Sequence, residues 1–460
     1  MRKTCRYLTA LFGLTALASL AVVPLANAAP VPPTASTPVG HVVPAVAYDG
    51  TTPHFKLATQ GSSAGLFSCQ APESPSNPVP CYGPSQIRNA YSFPVGLNGA
   101  GQTIVIIDAF GDPYIASDLA LFDSTFGLPA ANLNEICVAT ATTTGPCPVT
   151  SLTNGDELSW AAEIALDTQW AHAIAPAATI DLVIAKSDQD PDILAAQQYA
   201  INNNLGSVLS QSFGENEACV QAEPTIFTPT VDIFQKAEAE HISVFASAGD
   251  QGAATVNCAG TAYVEGVNMP ASDPLVTSVG GTHLNANYLT GAYYNETVWN
   301  NSGEPAGYDF GAGGGGFSSI FHKPSYQDSA DTGSAWRGVP DVSYNADVFD
   351  GVLVVSSALN GGTPAIFIFG GTSSGSPQWA ALTALLDQAA GHRVGFLNPA
   401  LYQLASSPLY QLAFHDITVG NNDWDTADVG GYAAHPGWDA ASGLGTPVAE
   451  ELIGFLSGHL

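Results

Sequence analysis

The stretch Phe369-Gly370-Gly371-Thr372-Ser373-Ser374-Gly375-Ser376-Pro377 lies between an apolar run, Ala365 to Phe369, and a helical run, Gln378 to Asp387. A strand that turns through two glycines into a helix can present a serine hydroxyl at a helix N-terminus. There the backbone N–H groups and the helix dipole favour negative charge. The same string also serves as a Ser/Thr N-cap after a glycine turn. The rest of the chain decides between the two.

Outward from this junction, strand-length apolar runs alternate with helix-length segments from Tyr82 onward. The spacing predicts strands over Thr103 to Ile107, Ile180 to Ala185, Val208 to Ser212, Ile242 to Ala246, Val352 to Ser356 and Ala365 to Phe369. Helices are expected over Leu158 to His172, Pro191 to Asn202, Val231 to Ala239 and Pro377 to Ala390. Buried, β-branched strands alternating with helices argue for an α/β fold, a mostly parallel sheet with helices on both faces. One large domain over residues 81–460 accommodates this pattern.

Ahead of it, Met1 to Ala28 has the basic start, apolar centre (Tyr7 to Leu25) and Ala-x-Ala end of a secretory signal peptide. Cleavage after Ala28 and a secreted product, free of the membrane once the signal is removed, are expected. Residues 29–80, rich in Pro and Ser, read as a leader or a short propeptide remnant. Of seven cysteines, Cys5 leaves with the signal and six remain. An even number suits an oxidising compartment. Six cysteines allow 15 connectivities, of which the close spacings favour Cys69–Cys81, Cys137–Cys147 and Cys219–Cys258. With no CxxC pair, zinc is not expected.

Ten basic residues against 40 acidic give a formal charge of −30, and loss of Arg2, Lys3 and Arg6 with the signal takes it to −33. Such a surface excludes nucleic acid as a natural partner. It repels itself at neutral pH and is relieved in acid, although solubility alone would also account for it.

A serine nucleophile needs a base. No histidine sits in an HGT-type motif; His172 and His283 are the positions at which a histidine-dependent hydrolase would have to find one. Another candidate is Glu163, four residues before Asp167 in Ala161-Ala162-Glu163-Ile164-Ala165-Leu166-Asp167, so that both carboxylates emerge on one helix face. Two solvated acids in an acidic protein would give the same spacing. A third element is Ala246-Ser247-Ala248-Gly249-Asp250-Gln251-Gly252, an apolar strand ending in a Gly-Asp loop. Open α/β sheets place their sites at such strand ends, and a turn aspartate is the alternative.

Together these strings resemble the sedolisin family of serine-carboxyl peptidases, which share the subtilisin-like fold, over roughly Tyr82 to Leu460. The resemblance extends to Pro270-Ala271-Ser272, Val279-Gly280-Gly281-Thr282, Gly314-Gly315-Gly316-Phe317-Ser318 and Arg337-Gly338-Val339-Pro340-Asp341-Val342-Ser343, in family order. It implies Ser373 as nucleophile, Glu163 as base, Asp167 as its orienter and Asp250 as an oxyanion-hole acid. That acid must be protonated to donate, which makes acid pH a requirement. The resemblance also implies one structural Ca²⁺, held by the carboxylates of Asp416 and Asp439 and the carbonyls of Ile417, His435 and Gly437; hard oxygens suit it. Asp423, Asp425 and Asp428 are expected to form a solvated loop. Protein or peptide substrates and a monomer follow, with internal cleavage or tripeptide removal left open. The rival reading is a catalytically inactive, calcium-stabilised secreted binding protein on the same fold.

Overall fold

The structure is a computed structural model that describes residues 42–44, 47–48, 67–70, 80–148, 151–303, 311–330 and 332–460. The expected signal peptide lies outside the described residues, as does most of the leader.

The run Thr103–Ala109 forms β1, the inner strand of a nine-stranded sheet. Around it stand β2 (Asn132–Thr140), β3 (Thr179–Ala185), β4 (Val208–Gln211), β5 (Ser243–Ser247), β6 (Thr277–Ala286), β7 (Tyr293–Val298) and β8 (Val342–Asn345). The order is β7-β6-β5-β4-β1-β3-β2, with a short Thr143–Thr144 strand beyond β2 and β8 paired to β6. Every pairing is parallel except β6 with β7 and β2 with Thr143–Thr144.

Period-two alternation explains why the inner strands are apolar throughout. Ile104 and Ile106 of β1 pack with Ile164 and Leu166 of helix α1 (Gly155–Ile174). Val105 and Ile107 point the other way, onto Ile193 of α2 (Asp190–Asn202) and Phe234 of α3 (Pro224–Ala239). Helix α4 (Gly375–Ala390) lies on the α1 face, its Trp379 and Leu382 fully buried. Helices thus cover both faces, as the alternation requires.

Two differences from the sequence reading have clear causes. Helix α3 begins seven residues before Val231, because Pro224 occupies its first turn and Pro229 sits inside it. Pro224 is tolerated because the first turn has no N–H bonds to lose, whereas Pro229 lies past that turn and forfeits one backbone bond. The strands before the Ser373 loop, Gly351–Ser356 and Ala365–Gly370, are an antiparallel hairpin in a separate four-stranded sheet. They are joined there by Cys81–Tyr82 and by Ala47–Tyr48 from the leader. Cys69–Cys81, Cys137–Cys147 and Cys219–Cys258, the pairs favoured by spacing, are all bonded. Among the described residues, no helix is long and apolar enough to cross a membrane.

Candidate active site

Helix α1 starts on Asn154, whose side chain accepts from Glu157 N at 2.7 Å, with Asp156 and Glu157 in the first turn where the dipole favours them. From Trp160 to Ile174 every residue is buried. Glu163 and Asp167 therefore sit inside the core, both 0% exposed, rather than on a solvated face. Burial pushes both carboxyls above the ordinary carboxylate range; for Glu163, the charges of Asp167, Asp108 and Asp250 add to it and the Ser373 hydroxyl pulls back. Neither Glu163 oxygen meets a donor at hydrogen-bonding geometry, although Ser373 and Asp167 lie close enough to bias its ionisation.

Ser373 lies in a single 3-10 turn, Thr372–Ser374, that leads directly into α4. The turn is entered through Gly371 at φ 85°, a left-handed conformation that suits glycine, and Gly371 N donates to Ala346 O. At Gly375 a Cβ would come within 2.7 Å of Val279 and 2.8 Å of Tyr344, so the start of α4 can press against β6 and β8. Ser373 Oγ donates to Ser212 O at 3.2 Å, and Ser212 Oγ donates to Asp167 Oδ1 at 2.9 Å. Ser212 thus ties the serine to the acidic helix.

Asp250 follows β5. Its Oδ1 accepts from Thr372 N at 2.8 Å and Thr372 Oγ1 at 2.9 Å, so the carboxyl is fixed to the residue preceding Ser373. Its Oδ2 is buried without a partner. Burial pushes Asp250 up to about 7 against the two Thr372 bonds, leaving it a neutral donor in acid. Gly249, at φ 110°, makes the turn, and a Cβ there would meet Asn268 Nδ2 at 2.6 Å.

All four positions expected from the motifs are therefore neighbours in one buried group. Two further members went unrecognised in the sequence. Ser212 is one, a serine at the carboxyl end of β4. Asp108 is the other: fully buried, both oxygens unpartnered, raised by burial and by Asp167. A polar residue ending an apolar strand was the only signal for either. The two histidines are engaged elsewhere: His172 Nε2 with Pro129 O and Asp123, His283 between Asp347 and Asp350.

At the C-terminal end, the carboxylates of Asp416 and Asp439 converge on the turn at 435–437. Gly437 N donates to Asp416 (3.2 Å) and His435 N to Asp439 Oδ2 (3.0 Å). None of the ion pairs found among the described residues involves either carboxylate. Nor do the described residues hold a cluster of three His, Cys, Asp or Glu side chains suited to a metal. A cation here would draw largely on backbone oxygens.

Fold and site define a class: an α/β protein in which carboxylates, not histidine, surround a buried serine at a helix N-terminus. The chain is 36% identical to kumamolisin of Bacillus sp. (strain MN-32) over 411 residues, covering 87% of this chain and 67% of that protein. It is 31% identical to sedolisin of Pseudomonas sp. (strain 101), covering 79% of this chain and 59% of that one. The solved structure of Pseudomonas sedolisin, a serine-carboxyl proteinase complexed with pseudo-iodotyrostatin, superposes with a TM-score of 0.72 at 28% identity, covering 83% of this chain and 99% of that one. A scan against family models returned no match. The chain belongs to the sedolisin family of serine-carboxyl peptidases, and its fold is subtilisin-like.

Proposed function

We propose that the chain is a secreted peptidase that cleaves peptide bonds in acid through Ser373, Glu163 and Asp167, with Asp250 in the oxyanion hole. The observation that carries this reading is the Asp250 carboxyl: one oxygen is fixed by Thr372, and the other is free and buried beside the serine. Glu163 accepts the Ser373 proton as Oγ bonds to the scissile carbonyl carbon. Neutral Asp250 donates through Oδ2 to the oxyanion, aided by the N-terminus of α4. Glu163 passes its proton to the leaving amine as the C–N bond breaks, leaving an acyl ester on Ser373. Water then repeats the sequence, giving up a proton to Glu163 and releasing the carboxylic acid.

The Asp250 shift sets the alkaline limit of the working range, and the acidic limit is where the Glu163–Asp167 pair takes its second proton, a limit that burial of the two carboxyls moves upward. Glu163 and Asp167 repel as two charges, so the pair acts with one proton shared and one charge available as base. Taking up the second proton stops the reaction at low pH. Loss of the Asp250 proton stops it as pH rises through about 7.

The C-terminal loop fits a Ca²⁺ ion in the chemistry of its donors: two carboxylates without a basic partner, and the carbonyls of Ile417, His435 and Gly437. Bound there, the ion would neutralise Asp416 and Asp439 and tie the loop to the domain, with no part in the bond-breaking steps. Digestion of a peptide library at pH 3 to 8 with mass readout tests the whole reading. Cleavage confined to acid and abolished in Ser373→Ala is expected, and the fragments would separate internal cutting from tripeptide removal. Cleavage surviving in Ser373→Ala would sink it.

A further inference from the structure

Asp250 sits in the loop that leaves the central sheet after β5 and ends at the short strand Ala254–Val256. The glycine-rich run 311–316 lies along this loop, joined to it by main-chain bonds. Ala312 N donates to Asp250 O at 3.1 Å, Gly314 N to Gly249 O at 2.7 Å and Gly315 N to Gly252 O at 3.2 Å, while Gly252 N donates to Ala312 O at 2.9 Å. The approach leaves no room for side chains. A Cβ at Gly311 would come within 2.2 Å of Asp250 O, and one at Gly314 within 2.4 Å of Ala248 O.

Behind both segments stands Asn422. It belongs to residues 420–434, which fold back on themselves through Ala434 N to Gly420 O (3.0 Å) and Asn422 N to Tyr432 O (3.1 Å). Asp423, Asp425 and Asp428 of this segment are exposed, as expected for a solvated loop, but Asn422 is 0% exposed. Its Nδ2 donates to Gly313 O at 3.2 Å and to Gly315 O at 3.3 Å, and its Oδ1 accepts from Tyr432 N at 2.8 Å. Its main-chain carbonyl accepts from Ala253 N at 3.3 Å. A carboxamide suits this place because it carries two donors and an acceptor on one flat group, and all are used. The side chain holds the glycine run, and the backbone holds the end of the Asp250 loop.

We propose that Asn422 is a positioning residue for the oxyanion hole, fixing through the run 311–316 where the Asp250 carboxyl stands relative to Ser373. The inference rests on the peptidase reading above, in which Asp250 donates to the oxyanion. One anchor of that carboxyl is Thr372, which holds Oδ1. The other is the main chain of Asp250 itself, which the glycine run and Asn422 keep in place. An oxyanion donor acts only at hydrogen-bonding distance from the developing charge, and a displacement of about 1 Å can cost roughly a hundredfold in rate.

The test is kcat and KM of Asn422→Ala from pH 3 to 9, well below its Tm. A kcat lower by roughly ten- to a hundredfold, with KM within about twofold of wild type, is expected, because the lost interaction forms in the transition state. The alkaline limb should also move down by about one pH unit, since water would reach a carboxyl that burial holds up. The groups facing that carboxyl, Thr372 N and Oγ1 and the carboxyl of Glu163, are the same in the variant. In an Asp250→Ala background, Asn422→Ala should cost no further kcat, the mark of a residue that acts through Asp250. Asn422→Asp keeps the shape and, while protonated, one of the two donors, so at pH 4 its kcat should lie between those of Asn422→Ala and wild type. It also gives the decisive comparison if Asn422→Ala does not fold. A lower Tm with wild-type kcat and alkaline limb overturns the inference and leaves the peptidase reading intact, as does an equal loss of kcat with and without the Asp250 carboxyl. Absence of Ser373-dependent turnover in the wild-type chain removes the peptidase reading, and the inference with it.

Discussion

At the residue scale, Ser212 links two jobs through two different atoms. Its carbonyl accepts from the Ser373 hydroxyl, and its own hydroxyl stabilises the ionised form of Asp167. Ser212→Ala would leave Asp167 holding protons more tightly, so the acidic pair takes its second proton at a higher pH. A hydrogen bond to a charged group is worth roughly 1.5–3 kcal/mol, so the acid limb of kcat/KM should rise by about one to two pH units. A pH–rate profile measures this, and an unmoved acid limb would show that Asp167 is not part of the base. Ser373, Glu163, Asp167 and Asp250 stood out in sequence because each lies in a short motif with regular spacing. Ser212 and Asp108 did not, since their importance comes from β1 and β4 bringing strand ends beside a helix more than fifty residues away from Asp108 and earlier than Ser212 in the chain.

At the element scale, apolar periodicity located β1, β3, β4 and β5, the two hairpin strands, and α1, α2 and α4 to within a few residues, because their boundaries coincide with changes of pattern, whereas β2 and β6 to β8 carried no such pattern. It could not show that α1 is buried all round, nor that the last two strands leave the central sheet as a hairpin. Sheet membership depends on long-range pairing. The Arg337-Gly338-Val339-Pro340-Asp341 stretch gains its physical meaning in the same way. Both nitrogens of the Arg337 fork reach Asp341, at 2.7 and 2.6 Å, with both side chains 0% exposed. Ser278 N, Asn398 and Tyr402 complete the carboxylate's partners. This network fastens β6 and β8, against which the Ser373 turn rests. Asp341→Ala strands a buried guanidinium and should cost about 3–5 kcal/mol in denaturant unfolding, whereas a cost under about 1 kcal/mol would mean that water enters to replace it. The C-terminal loop carries a parallel expectation: chelation of Ca²⁺ lowers Tm, and restoring the ion recovers it. Equal Tm with and without chelator would exclude a bound structural ion.

On the scale of the whole molecule, a formal charge of −30 repels itself at neutral pH and is relieved as carboxylates take up protons, so stability is expected to be greatest in acid. Asp250, raised from 3.8 to about 7, and Asp273, raised likewise to about 7, are both held up by burial. Their contributions to stability are full below 3.8 and are lost as pH rises through about 7. His283 works in the same sense. Burial opposes its charge, but Asp347, by hydrogen bond and charge, together with Asp350 and Glu296, raises it to about 9. Its contribution is full below 6.5 and is lost as pH rises through about 9. Tm measured at constant ionic strength should therefore climb from pH 9 down to pH 4, and a maximum at or above pH 8 would contradict this balance. Composition alone left acid adaptation and plain solubility equally open. The buried carboxyls support the proposed acid reading, because a solvated acid has no reason to hold its proton near neutrality.

The central claim is that acid pH is needed because Asp250 must carry a proton, and one measurement addresses it directly: kcat/KM of Asp250→Asn against wild type from pH 3 to 9. Asparagine keeps a donor without needing protonation. The account predicts reduced but measurable activity whose alkaline limb, near pH 7 in the wild type, is absent or shifted upward. An alkaline limb unchanged in the variant would contradict it and assign the pH requirement to Glu163 and Asp167.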